Sequence, residues 1–165
     1  MAARWDTAYL REAESDFSIY LLLKDRDDVA VCHKLQHLQM ATEKLAKAFL
    51  SSRSRGRRQP DVHDVLVVFV KTSAKYAPVA RAFRMASLSA FSDFIRESVM
   101  PVAAELQGLY PKGAENRPNV EYPWEVGGQV LSPADYGFAN LNPDSDRVKK
   151  FVWYLKTCFV TTDVW

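Results

Sequence analysis

The stretch RGRRQPDVHDVL, Arg55 to Leu66, sets a run of arginines a few residues ahead of a histidine that opens an apolar segment. Together these residue types suit phosphoryl transfer without a metal. An imidazole titrating near neutrality can move the 2′-hydroxyl or leaving-group proton, while a guanidinium presents a planar fork to the scissile phosphate. Arg58 and His63 are separated by four residues, Arg57 and His63 by five, and Arg26 and His33 by six. The plain alternative is a solvated loop leading into a helix whose first-turn histidine bonds to backbone or water. Three histidines beside an arginine-dense loop produce such spacings readily by chance, so spacing alone does not choose.

The segment SSRSRGRR carries Arg53, Arg55, Arg57 and Arg58 without one acid. Cations so placed could neutralise several phosphates in a salt-dependent way, which makes these four the candidate RNA-binding residues; otherwise they keep an exposed loop solvated. Tyr122 and Trp124 flank Pro123 and could stack on bases, but aromatics in that setting more often anchor a long loop to a core. His33 and His37 lie four apart on one helical face with Cys32 adjacent, a spacing that zinc can use. A third convergent ligand is missing and there is no H-E-x-x-H, so no metal and no cofactor is expected. Gln36 and Gln39 beside Glu43 form a polar edge suited to a helix–helix hydrogen bond or a dimer contact. Phosphate-loop and dinucleotide glycine fingerprints are absent, as is a Ser/His/Asp signature.

These residues must be positioned by helices. Leu10, Ala13, Phe17, Tyr20 and Leu21 recur at helical spacing from Asp6 to about Lys24, with Asp6 as the expected cap. Asp27 and Asp28 favour the start of a second helix, whose stripe of Leu35, Leu38, Ala41, Leu45, Ala48 and Phe49 runs to about Leu50. The SSRSRGRRQP segment reads as a flexible exposed loop. A third helix is expected from near Val62, capped by Asp61, and ending before Pro78; its VLVVFV core is β-branched, yet its neighbours are helical and helix is favoured. A fourth, Val79 to about Gln107, has Phe83, Ser87, Phe91, Phe94, Ile95 and Val99 on one face, and Pro101 must kink or divide it. Tyr110 to Asn142 reads as a long ordered connection with short extended pieces such as NVEYPW. Asn142 and Pro143 then form a cap and first turn for a last helix bearing Val148, Phe151, Val152, Leu155 and Phe159. Amphipathic helices without alternating strands amount to an all-α bundle in a single domain spanning residues 1–165.

Within that plan, LQMATEKLAKAFL, Leu38 to Leu50, resembles the second helix of HEPN domains, with Ala41, Glu43, Lys44, Lys47 and Ala48 on the matching positions. HDVL, His63 to Leu66, resembles the start of that family's third helix, and EYPW, Glu121 to Trp124, its Arg-Tyr-Pro segment, although Glu121 stands where arginine is common. The resemblance implies an up-and-down bundle of four to five helices with a long ordered loop before the last one. It also implies frequent homodimerisation or a partner protein, and a function tied to RNA or nucleotides. Members include metal-independent ribonucleases of toxin and antiviral systems and modules that only bind or assemble. Active members carry an arginine, four to six residues and a histidine late in the domain, where this chain has no histidine. The expectation is therefore a binding or assembly module, with a ribonuclease using Arg58 and His63 as the alternative.

At 165 residues the chain can bury roughly 70% of its unfolded surface and needs no disulfide or metal to fold. Its 48% hydrophobic content and 25% charge exclude extended disorder, and a net charge of +2 makes any anion-binding signal local to the arginine loop. The opening MAARWDTAYL lacks the pattern of a secretion signal, and no apolar run approaches a bilayer span. The expected setting is the cytoplasm, with Cys32 and Cys158 reduced and no membrane contact.

Overall fold

The second helix organises the molecule. In the computed structural model, which describes residues 4–59, 63–110 and 117–165, α2 (Val31–Arg53) has Leu35, Leu38, Ala41, Leu45, Ala48 and Phe49 fully buried, as the stripe predicts. Its burial continues around the helix through Cys32, Thr42 and Ala46, so it is covered on several sides. Helix α1 (Trp5–Leu23) packs along it, burying Ala13, Phe17 and Tyr20. Helix α3 (Val65–Ser73) covers a second side, and the 3-10 turn Pro133–Asp135 of the long connection also reaches α2.

Local chemistry corrects several expected boundaries. Asp6 does not cap α1: Arg4 holds that position, and Asp6 sits buried inside the first turn, accepting from the Thr7 amide at 2.9 Å and pairing with the Arg4 guanidinium at 2.6 Å. Helix α2 begins at Val31 and runs a turn beyond Leu50 to Arg53, absorbing the first residues of the expected loop. VLVVFV is helical, with Val65, Leu66, Phe69 and Val70 inward, which is helical rather than alternating periodicity. That helix ends at Ser73. Pro78 falls in the first turn of a separate short helix, α4 (Ala77–Ala82), where its missing amide hydrogen has no helical partner to lose. Asp61 and Val62 lie outside the described residues, but the helix starts only at Val65, so His63 precedes it instead of standing in its first turn.

The expected single fourth helix is divided. After α4 the chain breaks at Arg84, whose φ is +51°, and Ser87 caps α5 (Leu88–Phe94) by accepting from the Ala90 amide at 3.1 Å. Ser87 is thus a cap rather than part of the buried face. A π-helical turn, Ile95–Val99, then leads into α6 (Met100–Gly108). Pro101 explains it: its nitrogen cannot donate to the preceding turn and its ring crowds the carbonyl four residues back, and a widened turn relieves both. Phe91, Ile95 and Val99 remain buried across the junction.

The long connection carries a hairpin in which β1 (Trp124–Val126) pairs antiparallel with β2 (Gln129–Leu131). Gly127 and Gly128 turn it with φ of +59° and +80°, which side-chain-bearing residues resist. Trp124 is 2% exposed and anchors the loop, while Tyr122 at 60% does not. The last helix, α7 (Asp146–Phe159), is capped by Ser145, which accepts from the Val148 amide; Asn142 instead closes the preceding turn by accepting from Asp144. Val148, Phe151, Val152 and Leu155 are buried, joined by Tyr154 and Cys158. The chain is mostly helical and bundle-like, and no helix among the described residues is long and apolar enough to cross a membrane.

Candidate functional site

Glu43 lies midway along α2 on its polar edge, and Lys47 stands one turn further on the same face. The Lys47 ammonium reaches one Glu43 oxygen, Oε1, at 2.7 Å, and the other, Oε2, lies 2.7 Å from His63 Nδ1. A carboxylate at that distance accepts from an Nδ1–H and so selects the tautomer whose Nε2 carries the lone pair. The imidazole is also stacked on Tyr110, with ring centroids 3.4 Å apart and planes 16° from parallel. Two constraints from different elements therefore fix one ring: a hydrogen bond from α2 and an aromatic face just beyond α6. Gln107 ties α6 to α3 by accepting from the Val67 amide at 3.0 Å.

His63, Asp64, Gln107, Tyr110 and Arg117 are among the residues lining a cavity of about 200 Å³. It adjoins a larger one of about 420 Å³ lined by Glu105, Arg117, Tyr136, Phe138 and Asn140 among others, and the two share Gly108 and Arg117. Glu105 is held by Arg147 at 2.7 Å, so its charge is matched.

The four loop arginines are exposed, as expected. Arg53, at the end of α2, lies over the Tyr76 ring at 4.7 Å, and Arg58 lies over Trp5 at 5.3 Å. Arg55 and Gly56 both take positive φ, and the loop carries its own hydrogen bonds: Ser51 Oγ donates to the Arg57 carbonyl at 2.6 Å, and the Gly56 amide to the Ser51 carbonyl at 2.8 Å. Arg58 thus sits against α1 and His63 against α2 and Tyr110, with residues 60–62 between them outside the described residues. Arg26 is held by Asp28 through two hydrogen bonds, of 2.9 and 2.6 Å, which raise its pKa and lower that of Asp28.

Of the zinc-spaced group, Cys32 is buried, His33 is exposed, and His37 turns toward α1 with Nδ1 3.8 Å from Asp16. Among the described residues no three His, Cys, Asp or Glu side chains are grouped to hold a metal ion. Asp16 is committed to Lys44 at 2.7 Å. Burial works against the Lys44 charge, but Asp16 and Glu12 outweigh it and its pKa is raised. Gln39 spends its amide on the Leu106 carbonyl at 3.1 Å, the helix–helix bond expected of the polar edge.

The chain matches no family model, no curated protein and no solved structure. Sequence reasoning singled out His63 but assigned none of its partners. Glu43 stood on the polar edge expected to serve a helix–helix or dimer contact, with no link to His63, while Tyr110 and Arg117, just past a helix and in a long connection, carried no motif.

Proposed function

We propose that this protein is a HEPN-like binding and assembly module that contacts RNA through the loop bearing Arg53, Arg55, Arg57 and Arg58. One observation carries the reading: four guanidinium groups stand exposed on a single hydrogen-bonded turn at the end of α2. That arrangement suits phosphate neutralisation, which is salt-dependent and indifferent to base sequence. The test replaces all four arginines with serine and measures single-stranded RNA binding at low salt. A large loss of affinity is expected, and unchanged binding would mean that RNA uses another surface.

The Glu43–His63 contact favours a second reading, a metal-independent endoribonuclease. His63 Nε2 would take the 2′-hydroxyl proton, the freed oxygen would attack phosphorus, and the P–O5′ bond would break as a proton reaches O5′, leaving a 2′,3′-cyclic phosphate. Arg58 is the phosphate ligand expected from the sequence, and Glu43 positions the imidazole. Cleavage of single-stranded RNA in EDTA that disappears in His63→Ala supports this; cleavage that survives the change rejects His63 as the proton carrier.

A further inference from the structure

The geometry points to a nucleotide subsite in the trough over the C-terminal end of α6, with a nucleobase on Tyr136 and a phosphate on Arg117 beside His63. This rests on RNA or a nucleotide being the ligand, but it concerns a different surface, since none of the loop arginines lines either cavity. The two cavities, of about 420 and 200 Å³, meet at Gly108 and Arg117, and among the described residues a side chain added at Gly108 would meet nothing within 4 Å beyond its own helix. The floor of the junction is therefore open to a ligand that spans both.

Each end offers a different half of one chemical unit. Tyr136 is 37% exposed and held edge-on by Trp124, at 5.1 Å and 85°, and by Phe138, at 4.9 Å and 88°. A ring clamped this way is oriented before anything binds, so stacking on it loses little further side-chain freedom. Asn140 lines the same end with a donor and an acceptor for a base edge. At the junction, the Arg117 guanidinium makes one hydrogen bond to a described residue, a long one of 3.4 Å to the Tyr110 carbonyl, which leaves most of its donors for an anion. Two acids line the cavities: Glu105 is neutralised by Arg147, and Asp64, on the smaller one, is itself engaged and not a free carboxylate. A bare anion would need only Arg117 and a flat apolar ligand only Tyr136; the two joined by one trough suit a base linked to a phosphate.

Titration calorimetry with adenosine 5′-monophosphate, adenosine and inorganic phosphate tests this on the intact protein. The monophosphate should bind one-to-one and more tightly than either half alone. Arg117→Gln should weaken it about tenfold or more, and Tyr136→Ala about fivefold or more, the low end of what losing a base–aromatic stack does. Arg117→Lys should retain part of the affinity, and equal melting temperatures across the variants confirm that they fold. The Arg55→Ser/Arg57→Ser double variant should bind the monophosphate within about twofold of wild type, so failure of the loop to bind RNA would leave this result standing. No saturable binding, equal binding of phosphate alone, or binding unchanged in both Arg117→Gln and Tyr136→Ala would overturn the assignment.

Discussion

Glu43 Oε2 lies 2.7 Å from His63 Nδ1 while the other oxygen of the same carboxylate holds Lys47, so one acid on α2 both orients the imidazole and matches a buried ammonium. The Lys47 side chain is 8% exposed and that of Glu43 19%, which makes the pair an internal one. Removing the acid alone strands a cation in a poorly solvated place.

Glu43→Gln should therefore destabilise the protein by about 2 kcal/mol or more, because a buried charge loses its partner. His63→Ala, which leaves the Lys47 pair intact, should cost less than about 1 kcal/mol. Adding Lys47→Met to Glu43→Gln should restore much of the loss, since the uncompensated charge is then gone. Urea denaturation of the four proteins measures all three quantities. A Glu43→Gln variant as stable as wild type would show that Lys47 finds water or another acceptor.

Alkaline pH should unfold the protein earlier than its surface would suggest. Burial pushes the Cys158 thiol from 9.0 up to about 12, and burial with nearby acids pushes the Tyr20 hydroxyl from 10.0 up to about 12. In both cases the folded state keeps a proton that the unfolded chain releases. Stability is thus fully present below pH 9 and falls as pH rises, through the thiols first and through Tyr20 and the buried Tyr154 from pH 10, by up to about 1.4 kcal/mol per pH unit per group. Cys158→Ala should lower stability at neutral pH by opening a small cavity, yet reduce the slope between pH 9 and 10, to which the Cys32 thiol, also raised by burial, still contributes. Denaturant midpoints at half-unit intervals would reveal it, and a wild-type curve flat to pH 11 would contradict the linkage.

The helices were legible in the sequence because burial against α2 imposes a period that composition records. VLVVFV is the instructive case: its β-branched residues suit a strand, but tertiary packing of Val65, Leu66, Phe69 and Val70 on one face decides for helix. Caps were less legible. A carboxylate at Asp6 reads the same whether it caps or sits inside the first turn, and only its hydrogen bonds tell the two apart. The His63 site was half legible: residue type picks out the imidazole, but Glu43 lies 20 residues away and Tyr110 on another helix's end, and no local pattern records which helices meet.

Two glycines should respond oppositely to alanine. Gly127 has φ +59° in the hairpin turn, so Gly127→Ala should cost about 1 kcal/mol even though, among the described residues, nothing beyond its chain neighbours lies within 4 Å of the added methyl. Gly108 ends α6 with ordinary helical geometry and equally open surroundings, so Gly108→Ala should be neutral or stabilising by up to about 0.5 kcal/mol. Thermal melts of both variants give the comparison. Equal destabilisation would mean that contacts of the added methyl, not backbone handedness, control these positions.

The arginine loop makes a prediction that separates charge from packing. Arg53 and Arg58 rest on Tyr76 and Trp5, so removing either also uncovers an aromatic face, whereas Arg55 and Arg57 make no such ring contact among the described residues. Arg55→Ser/Arg57→Ser should accordingly leave the melting temperature unchanged while weakening single-stranded RNA binding. If each arginine neutralises one phosphate, the plot of log affinity against log salt should flatten by roughly 0.7 per residue removed, about 1.4 for the pair. Arg53→Ser/Arg58→Ser should flatten the plot similarly but also lower the melting temperature by a few degrees. A salt slope identical to wild type in the Arg55/Arg57 variant would remove this loop from the RNA surface, because counterion release follows each neutralised phosphate wherever it lies.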